Sequence, residues 1–375
     1  MAGGILVHQQ IQALVDAGVL TGNPGIARAQ VQPASLDLRL ATVGFRVRSG
    51  FLPERQSVAE LLEEMTLYRF DLTDGAVLER GHCYILPLQE TIARPIDAVI
   101  RANPKSSTGR LDIFTRLLAD HSGRFEWAPR GYVGPLYLEV VPRSFPVRVR
   151  TGQSLNQVRF VRGDSALSDD ELREEYAREP LLWRDAKTPV PMEEVSFDDG
   201  LCMRLALAPD RDLIGPVGYE ARGHTPVVDL DREDAHDPDE FFRPIPPPPR
   251  RRMIVQPEAF YIFASKERVR VPRHLAAEMA AYDVGMGELR TNYAGFFDNG
   301  FGGATGTRAV LEVRPHDVPF LVEDGQVFFR LRFHRSLETP KTAYGEGSLQ
   351  SHYQGQALRL SKHFRRAAGD RAQDS

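Results

Sequence analysis

One short segment of the sequence brings two cationic and two hydroxyl side chains close together. In the string "ANPKSSTGRL", these are Lys105, Ser106, Ser107 and Arg110. Such a group can hold a phosphate or orient a water molecule, because ammonium, guanidinium and hydroxyl groups all donate hydrogen bonds to oxygen. Lys-Ser-Ser is also common in solvated turns, so a plain surface loop is the alternative interpretation of this segment.

A glutamate in an apolar strand is the second candidate for chemistry. Within "GPLYLEV", Glu139 faces away from Leu138 and Val140 if the segment is a strand. Its carboxyl group is then either exposed on a sheet or removed from water, and removal from water raises a carboxyl pKa towards the range useful for proton transfer. Glu312 occupies the equivalent place in a second L-E-V, although a structural glutamate would be repeated in the same way.

The sequence contains an internal repeat. "LEVVPRSFPVRVRTGQSLNQVRF" at 138–160 aligns without a gap on "LEVRPHDVPFLVEDGQVFFRLRF" at 311–333. Upstream, "YILPLQETIARP" at 84–95 matches "YIFASKERVRVP" at 261–272. Matching Pro and Gly-Gln positions in an ungapped alignment favour duplication over chance similarity between strands. We therefore predict three parts: a first copy over 1–165, a charged connector over 166–225 and a second copy over 226–375.

The elements that must position these residues are mostly short strands separated by Gly, Pro and Asp turns. This pattern predicts a mainly β protein with antiparallel sheets closed into a sandwich or barrel. Helices are few; Ser168 and Glu171 form a capping-box pattern at the start of one. Ile11, Leu14 and Val15 have the spacing of another, near the N-terminus.

Composition excludes some classes of function. The 375 residues have a net charge of -4, so a triphosphate would be held by a few placed cations, and we expect no nucleic-acid partner. There is no apolar run of membrane-spanning length and no signal peptide, so we expect a cytoplasmic protein without a membrane partner. The two cysteines, Cys83 and Cys202, form no C-x-x-C pair, and the H-x-E and P-C-x-x-C signature of zinc deaminases is missing.

Several motifs together resemble the dCTP deaminase family of the dUTPase-like superfamily. They are "KSSTGR", then "GYVG" followed by Glu139, "QPASLDLRL" at 32–40, and "YGEGSLQSHYQGQ" at 344–356. The two-copy length is similar to a tandem form of that family. The resemblance implies two tandem dUTPase-like distorted β-barrel or jelly-roll domains with a few short helices.

The resemblance also implies roles for individual residues. Glu139 matches the family's general base and acid, while Ser106 and Arg110 match residues that orient the attacking water and that glutamate. Lys105 and Ser107 are expected to bind substrate, and the matching tail residues are Tyr344, His352, Tyr353 and Gln356. His352 stands where the family usually has Lys, which weakens the expected grip on the phosphates through that position.

The second copy departs from this pattern. Asp283, Val284 and Gly287 replace the Ser-Ser-Arg cluster, whereas "AGFFDNGFGG" places Asp298 and Phe301 at the acid and aromatic positions of a dUTPase-like motif. Glu312, Asp298 and Phe301 are therefore the second-copy candidates. Either the second copy completes the site of the first with its tail and the wall around Asp298, or it is only a scaffold.

The function implied is hydrolytic deamination of dCTP to dUTP and ammonia, which supplies dUTP for dTMP synthesis. The expected cofactor is Mg²⁺ bound through the substrate triphosphate, with no zinc and no metal held by the protein itself. A homotrimer with sites between domains or subunits is expected. The alternatives are a dUTPase or bifunctional dCTP deaminase/dUTP diphosphatase, a non-catalytic nucleotide-binding regulator, and a duplicated β-domain used only for assembly.

Overall fold

The chain folds into two β-sheet units, which together confirm the predicted mainly β architecture. The computed structural model describes residues 3–211, 213–280, 289–291, 295–346 and 355–366. The first unit contains the strands β1 Gly4–Ile5, β2 Leu20–Gly22, β3 Leu36–Arg39, β4 Val43–Val47, β5 Thr66–Asp71, β6 Ala76–Leu78, β7 Tyr84–Ile92, β8 Val99–Pro104, β9 Ile113–Ala119, β10 Trp127–Ala128, β11 Gly134–Pro142, β12 Val147–Val149 and β13 Ser154–Arg162.

The second unit repeats this series with strands of similar length. Its strands are β14 Leu182–Trp183, β15 Leu201–Arg204, β16 Gly218–Ala221, β18 Phe242–Ile245, β19 Arg252–Val255, β20 Tyr261–Val269, β21 Leu275–Ala280, β22 Leu289–Thr291, β23 Phe296–Phe297, β24 Thr307–Pro315, β25 Phe320–Glu323 and β26 Val327–Arg335. The strand β17 Val228–Asp229 lies between β16 and β18 in the chain but pairs in parallel with β12 of the first unit.

Helices are short and lie between strands. They are α1 His8–Asp16, α2 Val58–Met65, α3 Ser106–Gly109, α4 Asp169–Arg178 and α5 Pro238–Phe241. The capping box predicted at α4 is present, since Ser168 and Glu171 exchange side-chain and backbone hydrogen bonds. No helix in the described part of the chain combines the length and the apolar character that crossing a bilayer requires.

The strand order of the two units shows the duplication directly. In the first unit, one sheet runs β5-β4-β7-β11-β9 and the other contains β3-β13-β8-β10. In the second unit, the corresponding sheets run β18-β16-β20-β24-β22 and β15-β26-β21-β23. The register also repeats, because Glu139 pairs with Ile85 and Glu312 pairs with Ile262, as the sequence alignment requires.

The segment predicted as a connector, 166–225, supplies strands to the second unit. β14 and β16 pair with β20, and β15 pairs with β26. These pairings place residues from 182 onwards in the sheets of the second unit, upstream of the predicted boundary at 226. Many charged residues of this segment lie on α4 and in turns. They dominate its composition, which is why the strands β14, β15 and β16 were not predicted.

A buried arginine joins the two units. The Arg159 side chain, on β13, is 1% exposed and donates to Ala277 O, Phe297 O and Asp298 Oδ1, all in the second unit. A second buried ion pair joins Arg314 of β24 to Asp112, and Ser144 donates a hydrogen bond to the same carboxylate. A buried charge is tolerated only when such partners surround it, so these contacts fix how the two units face each other.

The Arg314→Met variant tests the contribution of the second pair. The substitution leaves the Asp112 carboxylate buried without its cation, so we expect the free energy of unfolding to fall by about 3–5 kcal/mol. Denaturant titration measures this change. Arg243→Met is the matched control, because the Arg243 side chain is 64% exposed in its ion pair with Glu220 and its removal should have little effect. Equal losses in the two variants would contradict the assignment.

Candidate active site

A cavity of about 220 Å³ lies between the two units. Side chains from both units line it, together with a segment near the C-terminus. The lining residues are Gln32, Asp37, Lys105, Ser106, Ser107, Arg110, Gln157, Phe296, Phe297, Asp298, Phe301, Ala309, Val310, Glu312, Tyr344, Gln356 and Lys362. The structure thus brings together the Lys-Ser-Ser-x-x-Arg segment and all three second-copy candidates.

The Lys-Ser-Ser segment reaches the cavity because it follows directly after β8. Lys105 keeps an extended backbone, and its N–H donates to Leu155 O on β13. The chain then turns through α3, where the N–H groups of Thr108 and Gly109 both donate to Lys105 O. In a continuing strand, neighbouring side chains would point to opposite faces of the sheet. Because the chain turns here instead, Lys105, Ser106 and Ser107 all line one cavity.

Arg110 ties this turn to the C-terminal segment. Its guanidinium, 3% exposed, donates to Gln356 Oε1 and to Arg359 O, each at 2.8 Å. Ser361 Oγ donates to Ser107 O at 2.8 Å, which adds a second contact between the same two segments. Arg110 thus holds the C-terminal segment against the cavity, and its expected role in orienting the catalytic glutamate stays a prediction.

Glu312 brings a carboxyl group to the opposite wall. It lies near the middle of β24 and is 1% exposed. Thr307, at the start of the same strand, accepts a hydrogen bond at its Oγ1 from Gly355 N, and Gln356 Nε2 approaches Arg308 O at 3.4 Å. The strand that carries Glu312 is therefore fastened to the same C-terminal segment as Arg110.

The wall around Asp298 is built from charge and aromatic contacts. Asp298 Oδ1 accepts from Arg159 at 2.7 Å, and Ser35 Oγ lies 3.4 Å from Oδ2. The Phe301 ring packs edge-on against Phe297, with centroids 4.9 Å apart, and lies 5.5 Å from the Tyr344 ring. Asp298 thus does more than cap a turn, since it connects the cavity wall to the buried arginine between the units.

Lys105 is paired with Asp37, which comes from the "QPASLDLRL" strand. Burial raises the pKa of the Asp37 carboxyl group above its usual value, while the neighbouring Lys105 ammonium opposes that rise. The cavity therefore holds a carboxylate beside its principal phosphate-binding candidate, so the charge available to an anion is smaller than the number of cations suggests.

Within one chain, the structure does not bring Glu139 together with Ser106 and Arg110. Glu139 is buried but does not line the cavity. Its Oε1 accepts from Nε and Nη2 of Arg116, at 2.8 and 2.5 Å, and the Arg116 guanidinium lies 3.5 Å from the centroid of the Phe125 ring. Burial raises the pKa of Glu139, and Arg116 opposes the rise.

The physical reason is a cover over the first copy's glutamate, which we define as residues 48–65. This cover contains Gly50, Phe51 and α2, and Val58 and Leu62 of α2 pack with Ile85 and Leu118 in a small apolar cluster. A Cβ atom on Gly50 would overlap Glu139 Oε2, so the cover approaches the carboxylate as closely as a backbone can. Glu139 is thus enclosed by its own unit, whereas Glu312 faces a cavity.

Some predicted residues lie outside the described part of the chain. These are His352 and Tyr353 of the tail, and the second-copy positions Asp283, Val284 and Gly287. Among the residues that the structure does describe, no three His, Cys, Asp or Glu side chains cluster as the ligands of a metal ion would.

Sequence reasoning missed two charged residues of the cavity. Asp37 interrupts an apolar strand in "SLDLRL", and a carboxylate at a core position is a signal that could have identified it. Lys362 follows the recognised tail motif by six residues and has no neighbouring pattern, so nothing in the sequence distinguishes it from an ordinary surface lysine.

Comparison with known families gives two matches that together span most of the chain. Residues 2–164 match the 2'-deoxycytidine 5'-triphosphate deaminase N-terminal domain, and residues 168–364 match the C-terminal domain of the same family. The chain belongs to the dCTP deaminase family. Both matches follow the two structural units closely, and the second starts at the capping residue of α4.

Individual members of the dCTP deaminase family show the same relationship. The crystal structure of 2'-deoxycytidine 5'-triphosphate deaminase from Agrobacterium tumefaciens superposes with a TM-score of 0.83 at 42% identity, covering 90% of this chain and 100% of that one. A dCTP deaminase, dUMP-forming, from Acidothermus cellulolyticus is 28% identical over 165 residues, which are 43% of this chain and 81% of that protein. The enzyme of that name from Methanothermobacter thermautotrophicus is 28% identical over 161 residues, 42% of this chain and 78% of its own.

Arg116→Met tests whether the Glu139 pair is structural. The variant leaves a buried carboxylate without its cation, so we expect the free energy of unfolding at neutral pH to fall by about 3 kcal/mol. Without the guanidinium, the pKa of folded Glu139 rises further above its usual 4.5. The loss should therefore shrink as the pH is lowered towards 4.5, because the neutral acid is not penalised by burial.

The double variant Arg116→Met/Glu139→Gln provides the control. It removes both charges, so most of the lost stability should return at neutral pH. A deficit that persists in the double variant would show that Arg116 acts through packing on Phe125 and not through its charge.

Proposed function

We propose that this chain deaminates dCTP hydrolytically in the cavity between its units, with Glu312 as the proton-transferring carboxyl group. The observation that carries the proposal is that Ser106, Ser107 and Glu312 line one cavity although they come from different copies. The family match supports dCTP as the substrate. This assignment replaces Glu139 by its counterpart in the second copy.

The reaction consumes dCTP and water and yields dUTP and ammonia. Water attacks C4 of the cytosine ring, and Glu312 accepts the proton that the water loses. Glu312 passes this first proton to the ring nitrogen N3. It then takes the second proton from the new hydroxyl group on C4 and delivers it to the amine, which leaves as ammonia while the C4 carbonyl forms. A buried carboxyl group suits this exchange, because removal from water favours its neutral form and allows one group to serve as base and then as acid.

The remaining cavity residues have binding and positioning roles. In this proposal the Ser106 hydroxyl holds the attacking water, while Lys105 and Ser107 supply donors for phosphate oxygens, and all three line the cavity. Arg110 is a positioning residue, since it holds Gln356 and the C-terminal segment against the cavity. The aromatic pair Phe301 and Tyr344 gives the cavity an apolar side on which a base or sugar can pack.

A dUMP-forming activity is the second candidate. The names of the related enzymes from Acidothermus and Methanothermobacter favour it, and Asp298 lies in the cavity wall. Against it, both Asp298 oxygens already have donors, since Oδ1 accepts from Arg159 at 2.7 Å and Oδ2 from Ser35 at 3.4 Å. A base that activates water for attack on phosphorus would need a carboxylate oxygen available to that water.

Product analysis with purified protein separates these candidates. We expect ammonia and dUTP in equal amounts from dCTP, without pyrophosphate. Pyrophosphate formed in step with ammonia would instead establish the dUMP-forming reaction, and pyrophosphate from added dUTP alone would indicate a dUTPase. Tight dCTP binding without either product would indicate a non-catalytic regulator.

Glu312→Gln and Glu139→Gln form a matched pair that tests the catalytic assignment. The glutamine at position 312 cannot transfer protons, so we expect kcat to fall about 10²–10⁴-fold while dCTP binding by calorimetry persists. Glu139→Gln should retain turnover, because its side chain lies outside the cavity. The reverse pattern would return the catalytic role to Glu139 through a contact between chains.

We also propose that Mg²⁺ arrives on the substrate triphosphate and that no zinc takes part. Two observations support this: the zinc-deaminase signature is missing from the sequence, and a hard dication prefers phosphate oxygens. Activity should survive dialysis against a zinc-selective chelator when Mg²⁺ is supplied. Loss of activity that only zinc restores would overturn this proposal.

Assembly and location complete the proposal. A homotrimer in the cytoplasm follows from the family resemblance, and light scattering of the purified full-length chain measures the number of subunits. The cavity described here draws both walls from one chain, so the proposed chemistry does not require a second subunit to complete Glu312, Ser106 and Ser107.

A further inference from the structure

We propose that Lys362 is a phosphate-binding residue of the dCTP site and that the triphosphate extends past it into a second cavity. This inference rests on the proposed dCTP site and adds a residue that no recognised motif contains. Three independent observations lead to it: the sizes of the two cavities, the charges that line them, and the way in which the Lys362 backbone is held.

The first observation is size. Pockets that hold ligands of comparable bulk usually enclose about 300–1,000 Å³. At about 220 Å³, the cavity that contains Glu312 is small for an entire nucleoside triphosphate. A second cavity of about 330 Å³ adjoins it, and the two share Asp37, Lys105, Ser107 and Lys362 in their common wall. A base near Glu312 would therefore place its phosphates at this shared wall.

The second observation is charge. Among described residues, the cationic side chains that line the first cavity are Lys105, Arg110 and Lys362, and three carboxylates line it as well. Arg110 is engaged by Gln356 and Arg359 O, and Lys105 is paired with Asp37. Lys362 is likewise paired, with Glu233, and the second cavity is also lined by the carboxylates of Asp37, Asp231 and Glu233. Lys105 and Lys362 are the two cations of the shared wall, so a bound triphosphate must compete with Asp37 and Glu233 for their ammonium groups.

The third observation is the backbone on either side of Lys362. Ser361 is fixed to Ser107 O, Lys362 O accepts from Asp234 N at 2.9 Å, and His363 O accepts from Ala235 N and His236 N. The Lys362 side chain is 27% exposed and forms an ion pair with Glu233 at the edge of the second cavity. A rigid backbone with a flexible four-carbon stem allows the ammonium to move from Glu233 to a phosphate without disturbing the segment.

Lys362 can supply a cationic contact to phosphate, which His352 is poorly suited to make. The sequence has His352 where the family usually has a tail lysine, and a neutral imidazole carries no charge to offer a phosphate. Lys362 restores a cation from the same C-terminal segment, ten positions further along the chain.

Lys362→Gln is the direct test, with Lys362→Arg as the conservative variant. We expect KM for dCTP to rise about ten-fold or more in the glutamine variant, with kcat much less affected, because a charge-assisted contact to phosphate is lost. The arginine variant should restore most of the affinity. Lys266→Gln is the matched control, since Lys266 is also ion-paired, to Asp324, but lies outside both cavities.

Calorimetric binding of dCTP, dCMP and inorganic triphosphate identifies the part of the ligand that Lys362 contacts. The glutamine variant should lose affinity for dCTP and for inorganic triphosphate, and much less for dCMP. Equal losses for dCTP and dCMP, or an unchanged KM for dCTP, would overturn the proposal.

The same measurements distinguish this inference from the proposed function. If wild-type protein binds dCTP through Lys362 but releases no ammonia, the deaminase proposal fails while the phosphate site stands. If ammonia release is normal and insensitive to Lys362→Gln, the phosphate site fails alone.

Discussion

The organisation of this molecule depends on a charge that cannot be left in the interior without partners. Arg159 projects from β13 of the first unit into the second, where two backbone carbonyls and the Asp298 carboxylate accept its hydrogen bonds. All three acceptors belong to the other unit. If the units separated, the Arg159 guanidinium would lose these three hydrogen bonds, and the acceptors would lose their buried donor. The cavity exists because this contact and the Arg314–Asp112 pair hold two sheets face to face.

The two copies have kept the same fold but place different groups at the cavity. The first copy retains Lys105, Ser106 and Arg110, and the second retains a glutamate that faces the cavity. The corresponding glutamate of the first copy lies beneath the cover formed by residues 48–65 and is neutralised by Arg116. Thus a pair of equivalent strands, with the same register, places one carboxyl group beneath a cover in its own unit and the other at a cavity between the units.

Much of the architecture could be read from the sequence, because strand patterns, the repeat and the capping box are local signals. The family resemblance and the candidates Ser106, Arg110, Glu312 and Gln356 were likewise identified from short motifs. The different surroundings of Glu139 and Glu312 could not be predicted, since both residues lie in the same L-E-V context. That difference arises from the approach of Gly50 and α2, which are distant in sequence and carry no motif. The strands in 166–225 were hidden for a related reason, because charged turns dominate that segment.

Duplication within one chain has a consequence for how such a site can change. In an assembly of identical subunits, a substitution appears in every subunit. When a site lies between two such subunits, a change made for one face of the site is therefore present in the subunit that forms the other face as well. Here the two faces of the cavity are encoded separately. A mutation can alter the Ser-Ser-Arg face while leaving the glutamate face untouched, and the surroundings of Glu139 can change independently of those of Glu312.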